Sequence, residues 1–154
     1  MMTHLTSKVL LILAGKTLAT AESCTGGMIG QMLTAVPGSS NVYKGGIISY
    51  TNEIKHKLLG VDKTLLDREG AVSAPVAKAM AEGARQALNA DIAVSVTGLA
   101  GPGGNDYGNP VGTVYIGYAD DRGAEAVSFL FSGDRDAVRA QAAEAALELI
   151  LSKN

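Results

Sequence analysis

Residues 21–30, AESCTGGMIG, constrain the fold of this chain more than any other stretch. A short apolar run ends there, two residues with small nucleophilic side chains follow, then two glycines. An amphipathic helical pattern comes next, with Met28, Ile29, Met32, Leu33 and Val36 on one stripe. This succession predicts a strand, a tight turn and a helix that Pro37 and Gly38 stop. Ser23 and Cys24 then occupy the strand-to-helix turn. The N–H groups of Thr25, Gly26 and Gly27 are expected to face open space at a helix N-terminus, which favours an anion or a developing oxyanion. A hydroxyl or thiol beside such donors suggests acyl transfer. A phosphate-cradling turn or a plain tight connection is the alternative.

The same alternation surrounds that unit. Residues 3–14 read as a helix, with Thr3 or Ser7 as cap and Leu5, Val9, Ile12 and Leu13 on one face. Thr17 to Ala21 is the first strand and Gly45 to Thr51 the second. Asn52 is a good N-cap for a helix to Leu59, closed by Gly60 at the C′ position. Asp62 to Glu69 is a further short helix. Ser73, with Pro75 in the first turn, starts a longer one through Leu88, with Val76, Met80, Ala84 and Leu88 spaced by four. Asp91 to Thr97 is an apolar strand, and Gly98 to Pro110 a long loop with five glycines and two prolines; loops of that length are more often functional than merely connective. Val111 to Tyr118 and Ala124 to Phe131, joined by Asp120–Gly123, form a hairpin and hence an antiparallel pair. Gly133 and Asp134 open a last helix with Ala137, Val138, Ala145, Leu149 and Ile150 among its buried candidates. Strands interleaved with helices predict an α/β fold, a three-layer α/β/α sandwich with a mixed central sheet. At 154 residues, residues 1–154 are expected to form a single domain.

Composition removes several classes of function. A net charge of −2 without a long Lys/Arg run leaves no electrostatic footprint for nucleic acid. The single cysteine, Cys24, forms no internal disulfide, and with only His4 and His56 as further soft ligands no zinc site can be built. No apolar run reaches the ~18 to 20 residues of a membrane span, and Met1 to Gly15 lacks a basic n-region. The expected location is cytoplasmic. An apolar content of 47% with 18% charged residues argues against disorder.

A nucleophile needs a base, and histidine is scarce: His4 lies in the first helix and His56 after the second strand. Lys55 is better placed. With Asn52 as N-cap it falls in the first turn, where the helix dipole disfavours an ammonium, although the dipole gives only roughly 0.3 to 1 kcal/mol and lowering a lysine from ~10.4 to ~7 or 8 takes about 4 kcal/mol. Burial, with a nearby arginine, must supply the rest; a solvated lysine is the plain alternative. Tyr50, five residues earlier at a strand end, can converge on the same site as a proton relay, or be a half-buried sheet tyrosine. The loop from Thr97 to Gly112 offers unhindered N–H groups able to grip a phosphate, ribose or carboxamide, or is a mobile surface loop. GDRDAVR, 133–139, sets Arg135 and Arg139 on one helical face, able to clamp a phosphate and bring positive charge near Lys55, or to pair with Asp136 or Glu125.

Six blocks, AESCTGG at 21–27, SYTNEIKHKLLGV at 49–61, GAVS at 70–73, SVTGLAGPGG at 95–104, PVGTVYIG at 110–117 and GDRDAVR at 133–139, together resemble the CinA C-terminal domain family, whose stand-alone members are nicotinamide-nucleotide amidases. The likeness runs from about Lys16 to Ile150, with no counterpart expected of the N-terminal domain that many CinA proteins carry. The resemblance implies hydrolysis of the carboxamide of nicotinamide mononucleotide to nicotinate mononucleotide and ammonia, without metal or organic cofactor. It implies Ser23 as nucleophile with Lys55 and Tyr50, and Thr25, Gly26, Gly27, Gly46, Thr97, Gly98 and Arg135 as substrate-binding residues, with Arg139 the alternative arginine. Cys24 is then a small core residue. The partner implied is the small-molecule substrate, with no nucleic acid and no membrane; a homo-oligomer is left open. The rival readings are a non-catalytic nucleotide-binding module of the competence/damage-inducible type and a Ser-Lys hydrolase of another amide.

Overall fold

A computed structural model describes the chain from Met2 to Asn154, with side chains from His4 onward. In chain order it contains α1 (Met2–Ile12), β1 (Leu18–Glu22), α2 (Met28–Thr34), a 3-10 turn (Ser39–Asn41), β2 (Tyr43–Ile48), α3 (Asn52–Leu59), α4 (Lys63–Glu69), α5 (Ala74–Ala87), β3 (Ile92–Gly98), β4 (Thr113–Asp120), β5 (Gly123–Leu130) and α6 (Arg135–Lys153). The sheet order is β2-β1-β3-β4-β5. β1 runs parallel to β2 and β3, whereas β4 is antiparallel to both β3 and β5. The expected α/β architecture with a mixed sheet is therefore the observed one.

Side chains of successive strand residues point to opposite faces, and the two faces are built differently. Leu18, Ile92, Val94, Val96, Val114, Ile116 and Tyr118 pack with Val9, Ile29, Leu33, Val138, Leu147 and Ile150 of α1, α2 and α6. Each such aliphatic side chain contributes roughly 1.5–3 kcal/mol by leaving water. The other face carries Ala19, Ala21 and Ala93 beneath Val76, Met80 and Ala84 of α5, with Leu59 and Leu66 from α3 and α4. Small residues let α5 come very close: a Cβ added at Gly117 would sit 2.3 Å from the Ala77 carbonyl, which accepts from Ser95 Oγ at 2.6 Å. Among the described residues no helix is long and apolar enough to cross a membrane.

Several boundaries differ from the sequence reading, each for a local reason. β1 extends to Glu22, which still pairs with Ile48 and Val96. β2 starts at Tyr43 rather than Gly45 and ends at Ile48, so that Ser49 and Tyr50 leave the ladder. The cap of α3 is Thr51, whose Oγ1 accepts from the Ile54 N–H, not Asn52; Gly60 does close the helix, at φ 70°. Lys55 accordingly falls one position later. Ser7 lies inside α1 and Ile12 is exposed, while the Thr3 side chain is outside the described residues. The hairpin turns tightly, with Asp120 and Gly123 as its last pair.

Candidate active site

β1 and β3 end side by side, and the Ser23 N–H donates to the Val96 carbonyl at 3.0 Å, fixing Ser23 directly beyond the sheet. Facing it is Lys55 from α3. Its Nζ donates to Ser23 Oγ at 2.9 Å, to the Ser49 carbonyl at 2.9 Å and to the Tyr50 carbonyl at 3.3 Å. The lysine is 1% exposed. All three acceptors are neutral, so nothing compensates the charge of an ammonium removed from water. Burial accordingly lowers the Lys55 pKa from 10.5 to about 8. The arginine expected to help is not a cause of that shift. The adjacent Cys24 thiol is pushed up to about 11 by burial, so at neutral pH it is an uncharged thiol and a poor nucleophile.

The turn after Ser23 is not the open anion cradle read from its glycines. Glu22, 2% exposed, folds back beneath α2. Its Oε1 accepts from the N–H groups of Gly27 at 3.1 Å and Ile29 at 3.0 Å, and its Oε2 from that of Gly30 at 3.0 Å. The Gly26 N–H donates to the Ser23 carbonyl at 3.0 Å. A buried carboxylate thus already satisfies the positive end of the helix. Among the described residues the Thr25 N–H, fully buried, is the one at this turn left without an acceptor, and the Cys24 N–H turns to its own thiol.

A cleft of about 510 Å³ opens over Ser23 and Lys55, lined also by Tyr50, Asn52, Thr97, Gly98, Tyr107 and Arg135. The structure thus brings together Ser23, Lys55, Tyr50, Thr97, Gly98 and Arg135. Thr25, Gly26, Gly27 and Gly46 do not line the cleft. Gly46 sits on β2 opposite Thr20, where a Cβ would meet Thr20 Oγ1 and the Tyr43 hydroxyl; its small size serves packing at the sheet edge. Tyr50 reaches the site in two ways. Its carbonyl accepts from Lys55, while its side chain, 58% exposed, stands at the rim with its hydroxyl bonded to the Arg135 guanidinium at 3.1 Å. Arg135 also donates to the Gly101 carbonyl at 2.8 Å. The glycine-rich loop is held further by the Tyr107 hydroxyl, which donates to the Asp67 carbonyl at 2.7 Å.

Arg139 lies one turn on and takes a separate place, its Nε donating to the Cys24 carbonyl at 2.9 Å and its guanidinium to the Thr25 carbonyl at 3.4 Å. His56 is directed away, its Nδ1 2.8 Å from the Val61 carbonyl, and His4 is an exposed residue of α1. Neither can serve Ser23. Glu22 and the Ser49 carbonyl were missed by sequence reading; an acidic residue just ahead of a Gly-Gly helix start was the available signal for Glu22. Among the described residues no group of three or more His, Cys, Asp or Glu could hold a metal ion.

The sequence profile of the CinA C-terminal domain matches residues 2–153. A CinA-like protein of Geobacter sulfurreducens is 52% identical over 134 residues, covering 87% of this chain and 32% of that protein. One from Parasynechococcus marenigrum is 53% identical over 133 residues, covering 85% and 32%. The chain thus spans about a third of the length of these curated relatives. Among solved structures, a competence-damaged protein (CinA) superfamily protein from Escherichia coli superposes with a TM-score of 0.97 at 35% identity, covering 100% of this chain and 91% of that one. A competence/damage-inducible protein from Agrobacterium tumefaciens gives 0.94 at 36%, covering 98% and 94%.

Proposed function

The chain belongs to the CinA C-terminal domain family, and from that premise we propose that it is a cytoplasmic nicotinamide-nucleotide amidase, hydrolysing the carboxamide of nicotinamide mononucleotide to nicotinate mononucleotide and ammonia. The observation that carries this reading is the 2.9 Å bond between Lys55 Nζ and Ser23 Oγ, made by a buried amine with no anionic partner and a pKa of about 8. A base poised near neutrality beside a hydroxyl is what nucleophilic amide cleavage requires.

In this mechanism neutral Lys55 takes the Ser23 proton as Oγ attacks the carboxamide carbon. The tetrahedral intermediate collapses with cleavage of the C–N bond, and the leaving nitrogen takes a proton from the Lys55 ammonium, with Tyr50 at the rim assisting. Ammonia departs and a nicotinoyl ester of Ser23 remains. Water enters, gives a proton to Lys55 and attacks the ester carbon; Ser23 recovers its proton and the carboxylate product leaves. Arg135, at the cleft wall, binds the substrate phosphate as a fixed planar donor. Thr97, whose hydroxyl is tied to the Ala71 carbonyl at 2.9 Å, and Gly98 shape the floor.

The test is direct. Purified protein incubated with nicotinamide mononucleotide should release ammonia and nicotinate mononucleotide in equal amounts, and the Ser23→Ala protein should release neither. Binding without turnover would leave a nucleotide-binding module, and turnover of other amides alone would remove the substrate assignment.

A further inference from the structure

Proton transfer from Ser23 to Lys55 needs two atoms held at bonding distance although they come from different elements, the turn after β1 and the first turn of α3. One buried residue stands behind both. Glu22 directly precedes Ser23, is 2% exposed and does not line the cleft. Its carboxylate accepts from the N–H groups of Gly27, Ile29 and Gly30. Its main-chain carbonyl accepts from the Ser49 N–H at 2.8 Å and from the Ser49 hydroxyl at 3.4 Å, and the Ser49 carbonyl in turn receives Lys55 Nζ at 2.9 Å. Resting on the serine-hydrolase reading above, we propose that Glu22 is the positioning residue of this site, its carboxylate fixing the turn that carries the nucleophile and its carbonyl fixing the strand exit that holds the base.

Residues 23–26 are strung between two fixed ends. At the first, the Ser23 N–H is tied to the Val96 carbonyl at 3.0 Å. At the second, Glu22 grips the start of α2 with both carboxylate oxygens, Oε1 taking two donors and Oε2 one. That occupancy stops the carboxylate from turning, so the helix start is fixed relative to the backbone just ahead of the nucleophile. Bonds from N–H groups to a carboxylate are roughly twice as strong as those to a neutral oxygen. Within the turn, the Gly26 N–H on the Ser23 carbonyl and the Met28 N–H on the Thr25 carbonyl, each at 3.0 Å, take up the remaining freedom. Glutamine matches glutamate in shape but has one acceptor oxygen, and its amide NH2 would meet the Gly30 N–H donor to donor. The helix start must then shift, and the turn bearing Ser23 with it. The main-chain bonds to Ser49 survive that replacement, so the base stays where it is and the nucleophile moves.

The experiment measures the rate at which a small alkyl fluorophosphonate labels Ser23, which requires no knowledge of the natural amide. Folded Glu22→Gln should label more slowly by roughly ten- to a hundredfold, the latter being the cost of a misplacement of about 1 Å. The pH midpoint of labelling should stay in place, because Glu22 is not a cause of the Lys55 shift. In amide turnover kcat should fall with KM little changed, because Glu22 does not line the cleft. Glu22→Asp, which keeps both oxygens on a shorter stem, should slow labelling less and carries the test where Glu22→Gln does not fold. Leu33→Ala, at a fully buried position of the same helix, is the control for stability alone: it should lower the denaturation midpoint and, while folded, label at the wild-type rate. Wild-type labelling by the folded Glu22 variant, an equal slowing in Leu33→Ala, or a raised KM at unchanged kcat would overturn the role of Glu22 and leave the amidase reading standing. A wild-type protein inert to the reagent would overturn Ser23 as an activated nucleophile, and this inference with it.

Discussion

The two ends of the sheet carry hollows of nearly equal size, and they differ in how their charges are kept. At the far end, Gly15, Lys16, Arg85, Asp91, Asp120, Arg122 and Lys153 surround about 470 Å³. There three of the four cations have partners: Arg122 meets Asp120 at 2.7 Å, Arg85 meets Glu82 at 3.5 Å, and Lys153 meets Glu125. The Arg122 guanidinium holds the Asp120 carboxyl below the usual carboxylate range, which only secures it as an anion. At the near end, about 510 Å³ contains fewer charges, and one of them is a buried lysine facing neutral oxygens alone. Paired, hydrated charges are chemically quiet, whereas an unpaired buried amine is close to giving up its proton. Reactivity here follows from the missing counter-charge more than from the number of charged groups.

The largest effect expected is that of Ser23→Ala, which should reduce amide turnover by at least about four orders of magnitude, as loss of a hydrolase nucleophile does. Cys24→Ala should be nearly silent, and the opposite ranking in turnover rates would move the chemistry to the thiol. Next comes Lys55→Met, which keeps the stem and loses the amine. Its kcat should fall by roughly 10²–10⁴, while His56→Gln should lose little.

Lys55 also gives a stability signature with a definite sign. Its folded pKa, about 8, lies below the ordinary 10.5, so between those values the unfolded chain binds more protons than the native one. Stability then rises with pH across that window and is insensitive to this group below it. Relative to Lys55→Met, wild type should gain about 3 kcal/mol between pH ~8 and ~10.5, read by denaturant titration of both proteins. A constant difference across the window would mean that the amine carries no burial penalty.

Smaller effects sharpen the contrast. Arg135→Gln should raise KM for nicotinamide mononucleotide and leave the acidic limb of kcat/KM in place, because burial and not this arginine lowers Lys55. An upward shift of that limb would show that its charge reaches the base. Arg122→Ala, at the far end, should change stability by no more than about 0.5 kcal/mol and turnover not at all; a loss of activity there would erase the distinction between the two ends.

Local chemistry was legible in the sequence where a few neighbouring residues decide it. The Asp134 cap of α6, the Gly60 end of α3 and the β4–β5 hairpin are of that kind. The site was legible mainly as a set of blocks: Ser23 and Lys55 were singled out, and the distance between them was not. What escaped depends on contacts distant in the chain or on competition between nearby groups. Glu22 claims the Gly27 donor and those of Ile29 and Gly30 behind it, and the Ser23 carbonyl takes that of Gly26. The strand order, and Arg139 reaching across 115 positions to the Cys24 carbonyl, leave no periodic trace.

Catalysis through Ser23 requires Lys55 to be a buried amine close to neutrality, and the direct measurement is an NMR titration of its 13Cε and 15Nζ resonances in the free protein, assigned by their loss in Lys55→Met. The expected midpoint is about 8. A midpoint at the ordinary lysine value of 10.5 would contradict it, because the amine would then be an ammonium throughout the neutral range and could not accept the Ser23 proton.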